Sequence, residues 1–232
     1  MIKTHIIAAL IALLLFVPLP AIAQGNISRF ENKLYLLNET PASRNPQFLN
    51  WQQMFSMKVI SGNRQLVGKV EDITVDESGA FTGLVSEINK LNRNEQVMKH
   101  QAYEIKFHEP INAFEIPLVL ADKQDVSPEA LAAIAPAAGG GKILSLKAMK
   151  GAEVKSRAGR RLGVVKDVVF DEQVQAIQAL VLENVPGANR YAEIAIPYDA
   201  EQITAVSDYG RIEFHIKNAA AATVTDFAKG RR

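Results

Sequence analysis

Runs of β-branched and aliphatic residues, each closed by Gly, Asn, Asp or Pro, dominate the chain at residues 67–75, 162–170, 177–182, 194–196 and 212–216. Alternation of this kind bounded by turn residues predicts strands. The alternation slips once in each of the first two runs. Val70 and Val165 lie an odd number of residues before Ile73 and Val168, so a strict period of two cannot put both members of either pair on one face. A β-bulge at Asp72 and at Asp167 restores the register. Bulges help a small sheet to curl, and closure removes exposed edges. Gly62-Asn63 and Arg157-Ala158-Gly159 stand where a hairpin turn joins the first two strands of each run.

The two slips belong to a repeat. With Gly68 laid on Gly163, an offset of 95, the positions 59–77 and 154–172 agree in Val59, Ser61, Gly68, Val70, Asp72, Asp76 and Glu77. Seven identities in nineteen gapless positions indicate a duplicated unit. Each unit also reaches an Ile-Pro step, at Ile116-Pro117 and at Ile196-Pro197. These lie 49 residues after the first glycine and 34 after the second, which predicts about fifteen extra residues in the first unit, between Asn89 and Tyr103.

Between the units, Ser127-Pro128-Glu129 has the N-cap and first-turn proline of a short helix that Pro136 stops, and residues 137–141 are rich in Ala and Gly, as in a flexible linker. Ahead of the first unit, residues 26–37 have the spacing of a short amphipathic helix, and residues 51–55 that of a helical turn leading into the first strand. The expected organisation is a leader over 1–23, an N-terminal segment 24–54, units at 55–126 and 143–218, a helix and linker at 127–142 and a tail at 219–232.

Lys3 and His5 precede the apolar run 6–17, and Pro18 and Pro20 lead into Ala21-Ile22-Ala23. This is the pattern of a secretory signal cleaved after Ala23, so the mature protein is expected to be periplasmic without stable membrane insertion. The chain has no cysteine; stability must come from burial, and thiol catalysis and zinc–thiolate sites are excluded. Lys3 is the only formal charge in the leader, and the remaining 25 Lys plus Arg balance 25 Asp plus Glu. A neutral chain argues against nucleic acid, whose binders carry a basic excess.

The stretch Gly159-Arg160-Arg161-Leu162-Gly163, the strand ending in Asp171, the apolar run 176–183 and the closing Ile196-Pro197-Tyr198 resemble the PRC-barrel family. Gln65-Leu66-Val67-Gly68 and residues 70–76 match more loosely, and Leu118 stands where the family has an aromatic after the proline. The resemblance implies a mainly β protein of two small PRC-like β-barrels, joined by the short helix and Gly-rich linker. It also implies modules that contact other macromolecules, and no family-wide active site.

Asp72 with Asp76, and Asp167 with Asp171, have the spacing of paired carboxylates, but a bulge and a strand-ending turn both suit short acceptor side chains. Gly68 and Gly163 read as turn or close-packing positions. Gly139-Gly140-Gly141-Lys142 lacks the first glycine and the final Ser or Thr of a phosphate-binding loop. His100, His108 and His215 show no ligand spacing. No catalytic residue, cofactor or metal is therefore expected. The expected function is a non-enzymatic periplasmic interaction or assembly module whose partner is another envelope protein. Lys90 and Arg93, in the expected insertion, and Phe107, His108 and Phe114 after it form the candidate contact surface. The alternative is an envelope enzyme or small-ligand binder using a cleft between the barrels.

Overall fold

The computed structural model describes residues 20–41, 45–88, 96–117, 142–189, 192–208 and 211–230. The expected leader over 1–19, the helix and linker at 127–141, Lys90, Arg93 and Leu118 lie outside the described residues. Helix α1 (Pro20–Glu39) spans the expected cleavage point and includes the amphipathic stretch. No described helix is long and apolar enough to cross a membrane.

The chain is mainly β and builds two curled sheets. Strand β1 (Phe48–Leu49) and the one-turn helix α2 (Trp51–Phe55) lead into β2 (Lys58–Ser61), β3 (Leu66–Val75), β4 (Phe81–Ile88), β5 (Gln96–Gln101), β6 (Lys106–His108) and β7 (Ala113–Ile116). After the linker come β8 (Leu144–Ser145), the short helix α3 (Leu146–Met149), β9 (Glu153–Ser156), β10 (Arg161–Asp171), β11 (Ile177–Glu183), β12 (Ile194–Pro197), β13 (Ile203–Asp208) and β14 (Arg211–Ile216). Helix α4 (Asn218–Gly230) closes the chain. Strand order is β5-β4-β3-β2-β7-β6 in the first sheet and β12-β11-β10-β9-β14-β13 in the second. The two sheets are one topology used twice.

Local sequence explains the curl. The β3–β4 ladder slips between Val70 and Asp72, and the β10–β11 ladder between Val165 and Asp167. Glu71 and Lys166 are the extra residues, and each slip turns the strand so that Ile73 and Val168 join Val70 and Val165 in the core. Gly68 lies where the backbones of β3 and β4 come closest. A Cβ there would stand 2.1 Å from the Glu87 carbonyl oxygen. Its counterpart Gly163 adopts φ +150°, with a Cβ position 2.8 Å from the Glu183 oxygen.

Each unit lends its leading segment to the other. Strand β1 precedes the first unit but pairs with β10 of the second, Leu49 facing Phe170. Strand β8 precedes the second unit but pairs with β3 of the first, Leu144 facing Val75. Leu49 and Leu144 are 95 apart, as are Val75 and Phe170; the repeat therefore reaches back to Leu49 and has approximate two-fold symmetry. The turns at the far ends also meet, through an Ala80–Ala176 bridge and hydrogen bonds from Phe81 N to Gln175 O and from Ile177 N to Gly79 O. One contiguous cluster of buried residues consequently runs from Val59, Ile73 and Phe114 to Val154, Val168 and Phe214.

The expected insertion in the first unit is corrected by the register. Strand β5 is the counterpart of β12: His100 lies sixteen residues after its partner Leu84, and Ile196 sixteen after its partner Leu180. The two hairpins therefore have the same register, with no extra residues in the first unit. The two Ile-Pro steps mislead because they are not equivalent. Ile116 ends β7 and pairs with Ser61, whereas the residue that pairs with Ser156 is Ile216 of β14. Between β5 and β7 the first unit is the shorter one, with fourteen residues from His100 to Phe114 against eighteen from Ile196 to Phe214.

Helices cover the second unit. Phe30 and Leu34 of α1 are fully buried, and burial of such side chains stabilises by ~2 kcal/mol each. Asn38, one turn further, accepts from Ala195 N (3.0 Å) and donates to Ala195 O (2.7 Å), capping the outer edge of β12 as another strand would. Ala220, Ala221 and Val224 bury the inner face of α4, and Tyr35 meets Phe227 edge to face across the two helices.

Candidate functional site

The repeated aspartates sit at the junction of the units. Asp72 accepts from Ile73 N (2.8 Å) in its own bulge and, across the junction, from Lys147 N (3.1 Å) and the Ser145 hydroxyl. Asp167 accepts from Val168 N (2.8 Å) and, across the junction, from Trp51 N (2.9 Å). Each carboxylate thus satisfies first-turn N–H groups of the helix that leads into the other unit, groups with no partner inside their own helix. Burial raises the pKa of both carboxyls, and the hydrogen bonds from Ser145 and Lys147, or from Trp51, pull the other way. Asp76 and Asp171 close the turns after β3 and β10, accepting from Ser78 N and Ala80 N in one and from Gln173 N, Gln175 N and Ala176 N in the other. All four aspartates are therefore spoken for by backbone.

Trp51 and Phe55 reinforce the junction from outside. Their rings stack at 4.2 Å, with the Lys150 ammonium 5.2 Å from the Trp51 centroid and that of Lys147 6.0 Å from Phe55.

An open concavity lies on the first unit. A cavity of about 400 Å³ is walled by Phe81, Ile105, Phe107 and Phe114, with Ala102 at one side. The second unit contributes its turn residues Gln173, Val174 and Gln175. Phe114 is buried and is the centre of the aromatic wall, with Phe81 parallel to it at 6.1 Å and Phe107 tilted at 5.4 Å. Val174 is 2% exposed and holds φ +57°, a conformation that is costly for a β-branched side chain. Gln173 and Gln175 are exposed at the rim. Among the described residues no lining side chain is an acid, a base or a nucleophile; those present can hold an apolar group and offer amides and backbone at the edge.

Of the residues picked out by sequence, Phe107 and Phe114 line this cavity together. His108 lies beyond it, bonded to Glu115 at 2.8 Å. Phe81, Ala102, Val174 and the two glutamines were not legible as site residues. Only the ladder offset, 96 past the turns, could have drawn notice to Ala102, because it pairs that alanine with Tyr198. His100 is buried in β5 beside the Ser86 hydroxyl (2.9 Å), and burial lowers its pKa against the opposing charge of Glu104.

Residues 142–218 match the PRC-barrel domain. The match takes in the second PRC-barrel-like sheet from β8 to β14, while the first sheet lies outside it and is tied to the second by the repeat and the shared strand order. No curated protein matches the chain. Among solved structures, the chain aligns with one described as a 16S ribosomal RNA processing protein, RimM, of Pseudomonas aeruginosa, at 14% identity and a TM-score of 0.24, over 63% of this chain and 95% of that one. The expected exclusion of nucleic acid is corrected by this finding: a neutral net charge does not rule out such a partner when a structural neighbour is named for RNA processing. At that score the likeness assigns no RNA to this chain.

Proposed function

We propose that this protein is a non-enzymatic interaction module of the periplasm, in which tandem PRC-like barrels are locked by exchanged strands and present the aromatic cavity of the first unit to a partner protein of the envelope. The observation that carries this reading is the chemistry of the cavity: aromatic walls, an amide rim and, among the described residues, no titratable lining side chain. Contact sites combine aromatic anchors with such rims, whereas an active site needs converging polar or charged groups. Export is supported by Lys3, the apolar run 6–17 and the Ala21-Ile22-Ala23 ending.

The test is cross-linked capture from an envelope fraction with wild type and with a Phe107→Asp variant, whose folding is checked by circular dichroism. A protein that wild type captures reproducibly and Phe107→Asp loses is the expected result. Capture unaffected by the substitution, or co-purification of RNA in place of protein, would overturn the reading.

A further inference from the structure

The cavity has an internal template. Ladder registers make Ala102 the counterpart of Tyr198, since Gln101 pairs with Gly83 as Pro197 pairs with Ala179. In the second unit the Tyr198 ring occupies the equivalent space. It lies edge-on to Phe214 at 6.3 Å, is 7% exposed, and its hydroxyl donates to the Glu77 carbonyl at 3.1 Å. Burial, with the charges of Asp76 and Glu77, raises the phenol's pKa, so the hydroxyl stays a donor.

The turn beneath the ring is matched to it. Gly79 holds φ +86°, and a Cβ on it would stand 2.7 Å from the Tyr198 ring. Its counterpart, third after the turn aspartate, is Val174, which lines the first unit's cavity. The counterpart of the Glu77 carbonyl is that of Glu172, which receives no hydrogen bond among the described residues. The first unit thus retains the Phe114 wall in place of Phe214 and has the Glu172 carbonyl at the position of Glu77, while it lacks the ring and carries Val174 in place of Gly79.

We propose that the first-unit cavity is a tyrosine-binding site, filled by a tyrosine side chain of the partner protein, which packs against Phe114 and Phe107 and donates its hydroxyl to the Glu172 carbonyl. This rests on the reading of the protein as an interaction module and names what the partner presents. The cavity, at about 400 Å³, falls within the size of small-ligand sites, and a buried ring with a satisfied hydroxyl is the commonest kind of interface anchor. Val174 narrows the site relative to Gly79, so the valine is a specificity-determining residue.

N-acetyl-L-tyrosinamide is the probe, titrated into the full chain and followed by NMR shifts of the methyl groups of Val174 and Ile105. Saturable binding is expected, with N-acetyl-L-phenylalaninamide weaker by about three- to ten-fold for want of the hydroxyl. Ala102→Tyr with Val174→Gly rebuilds the packing of the second unit; it should melt no lower than wild type and bind the probe at least about ten-fold more weakly. Val174→Gly alone should bind more tightly. The proposal is overturned if wild type shows no saturable binding, if the double variant binds as well as wild type, or if the two amides bind equally. It is also overturned if sedimentation shows a dimer that Tyr103→Ala dissolves, because the exposed Tyr103 of a second copy would then be the occupant. Loss of partner capture in Phe107→Asp together with no effect of the double variant on either readout would leave the interaction reading standing and remove the tyrosine.

Discussion

The two units share strand order, both bulges and the cross-unit aspartate, yet one is finished and the other is open. In the second, Tyr198 fills the space beside Phe214, Asn38 caps the edge strand and two helices cover the outer face. In the first, Ala102 stands in the tyrosine's place and a cavity remains. The repeat supplies two copies of one solution to folding, and differences at a few core-lining positions leave one copy filled and the other with a cavity. Binding surface is available where the fold does not need the side chain for itself.

The largest effects come from breaking what the units have in common. Gly68→Val and Gly163→Val should each destabilise by about 3 kcal/mol or more, because the new Cβ meets backbone oxygen and, at Gly163, also a strained φ. Chemical denaturation measures this, and an unchanged midpoint in either would show that the strands can part there at no cost. Tyr198→Ala should cost ~3 kcal/mol and open in the second unit the cavity that the first already has. If it is instead neutral, the ring is not a core element and the contrast between the units loses its meaning.

Asp72→Ala removes an acceptor from three donors and Asp167→Ala from two. Losses of ~3 and ~2 kcal/mol are expected, with exchange of the Lys147 and Trp51 amides accelerated in the respective variants. Asn38→Ala should cost ~1 kcal/mol and touch only the second unit, seen as faster amide exchange at Ala195 without change in the first sheet.

The smallest effect is on pH dependence. Because burial raises the Asp72 carboxyl, the folded chain holds that proton more tightly than the unfolded chain does. Between the ordinary carboxylate value and the raised one the fold binds more protons, so this group's contribution to stability falls as pH rises through that window and is constant above it. Asp72→Asn should lack this decline. Denaturation midpoints of the two proteins compared from about pH 3 to about pH 7 should show wild type gaining stability relative to the variant toward the acid end; parallel curves would show that the carboxyl is not shifted.

Much of the fold can be read without coordinates. The odd spacing between Val70 and Ile73 marks the bulge, because a strand's side-chain period is two and nothing else reconciles two core aliphatic residues out of phase. The identity of Asp72 with Asp167 marks the repeat. The error over the Ile-Pro steps came from the same kind of reading: a dipeptide is a local label, and Ile116-Pro117 and Ile196-Pro197 end strands on opposite sides of their sheets. Phe107 and Phe114 could be singled out as aromatic, but nothing local tells a core ring from a cavity wall.

What the chain's pattern determined was the duplicated β unit, its strands and its points of curl, since these follow from alternation, turn chemistry and recurrence within a few residues. Only the tertiary structure decided that β1 and β8 cross to the opposite sheet, that Asp72 and Asp167 serve helices 75 and 116 residues away, and that Ala102 leaves a space where Tyr198 fills one. Those outcomes depend on which distant groups share a volume, and the volume exists only after both sheets have closed on a common core.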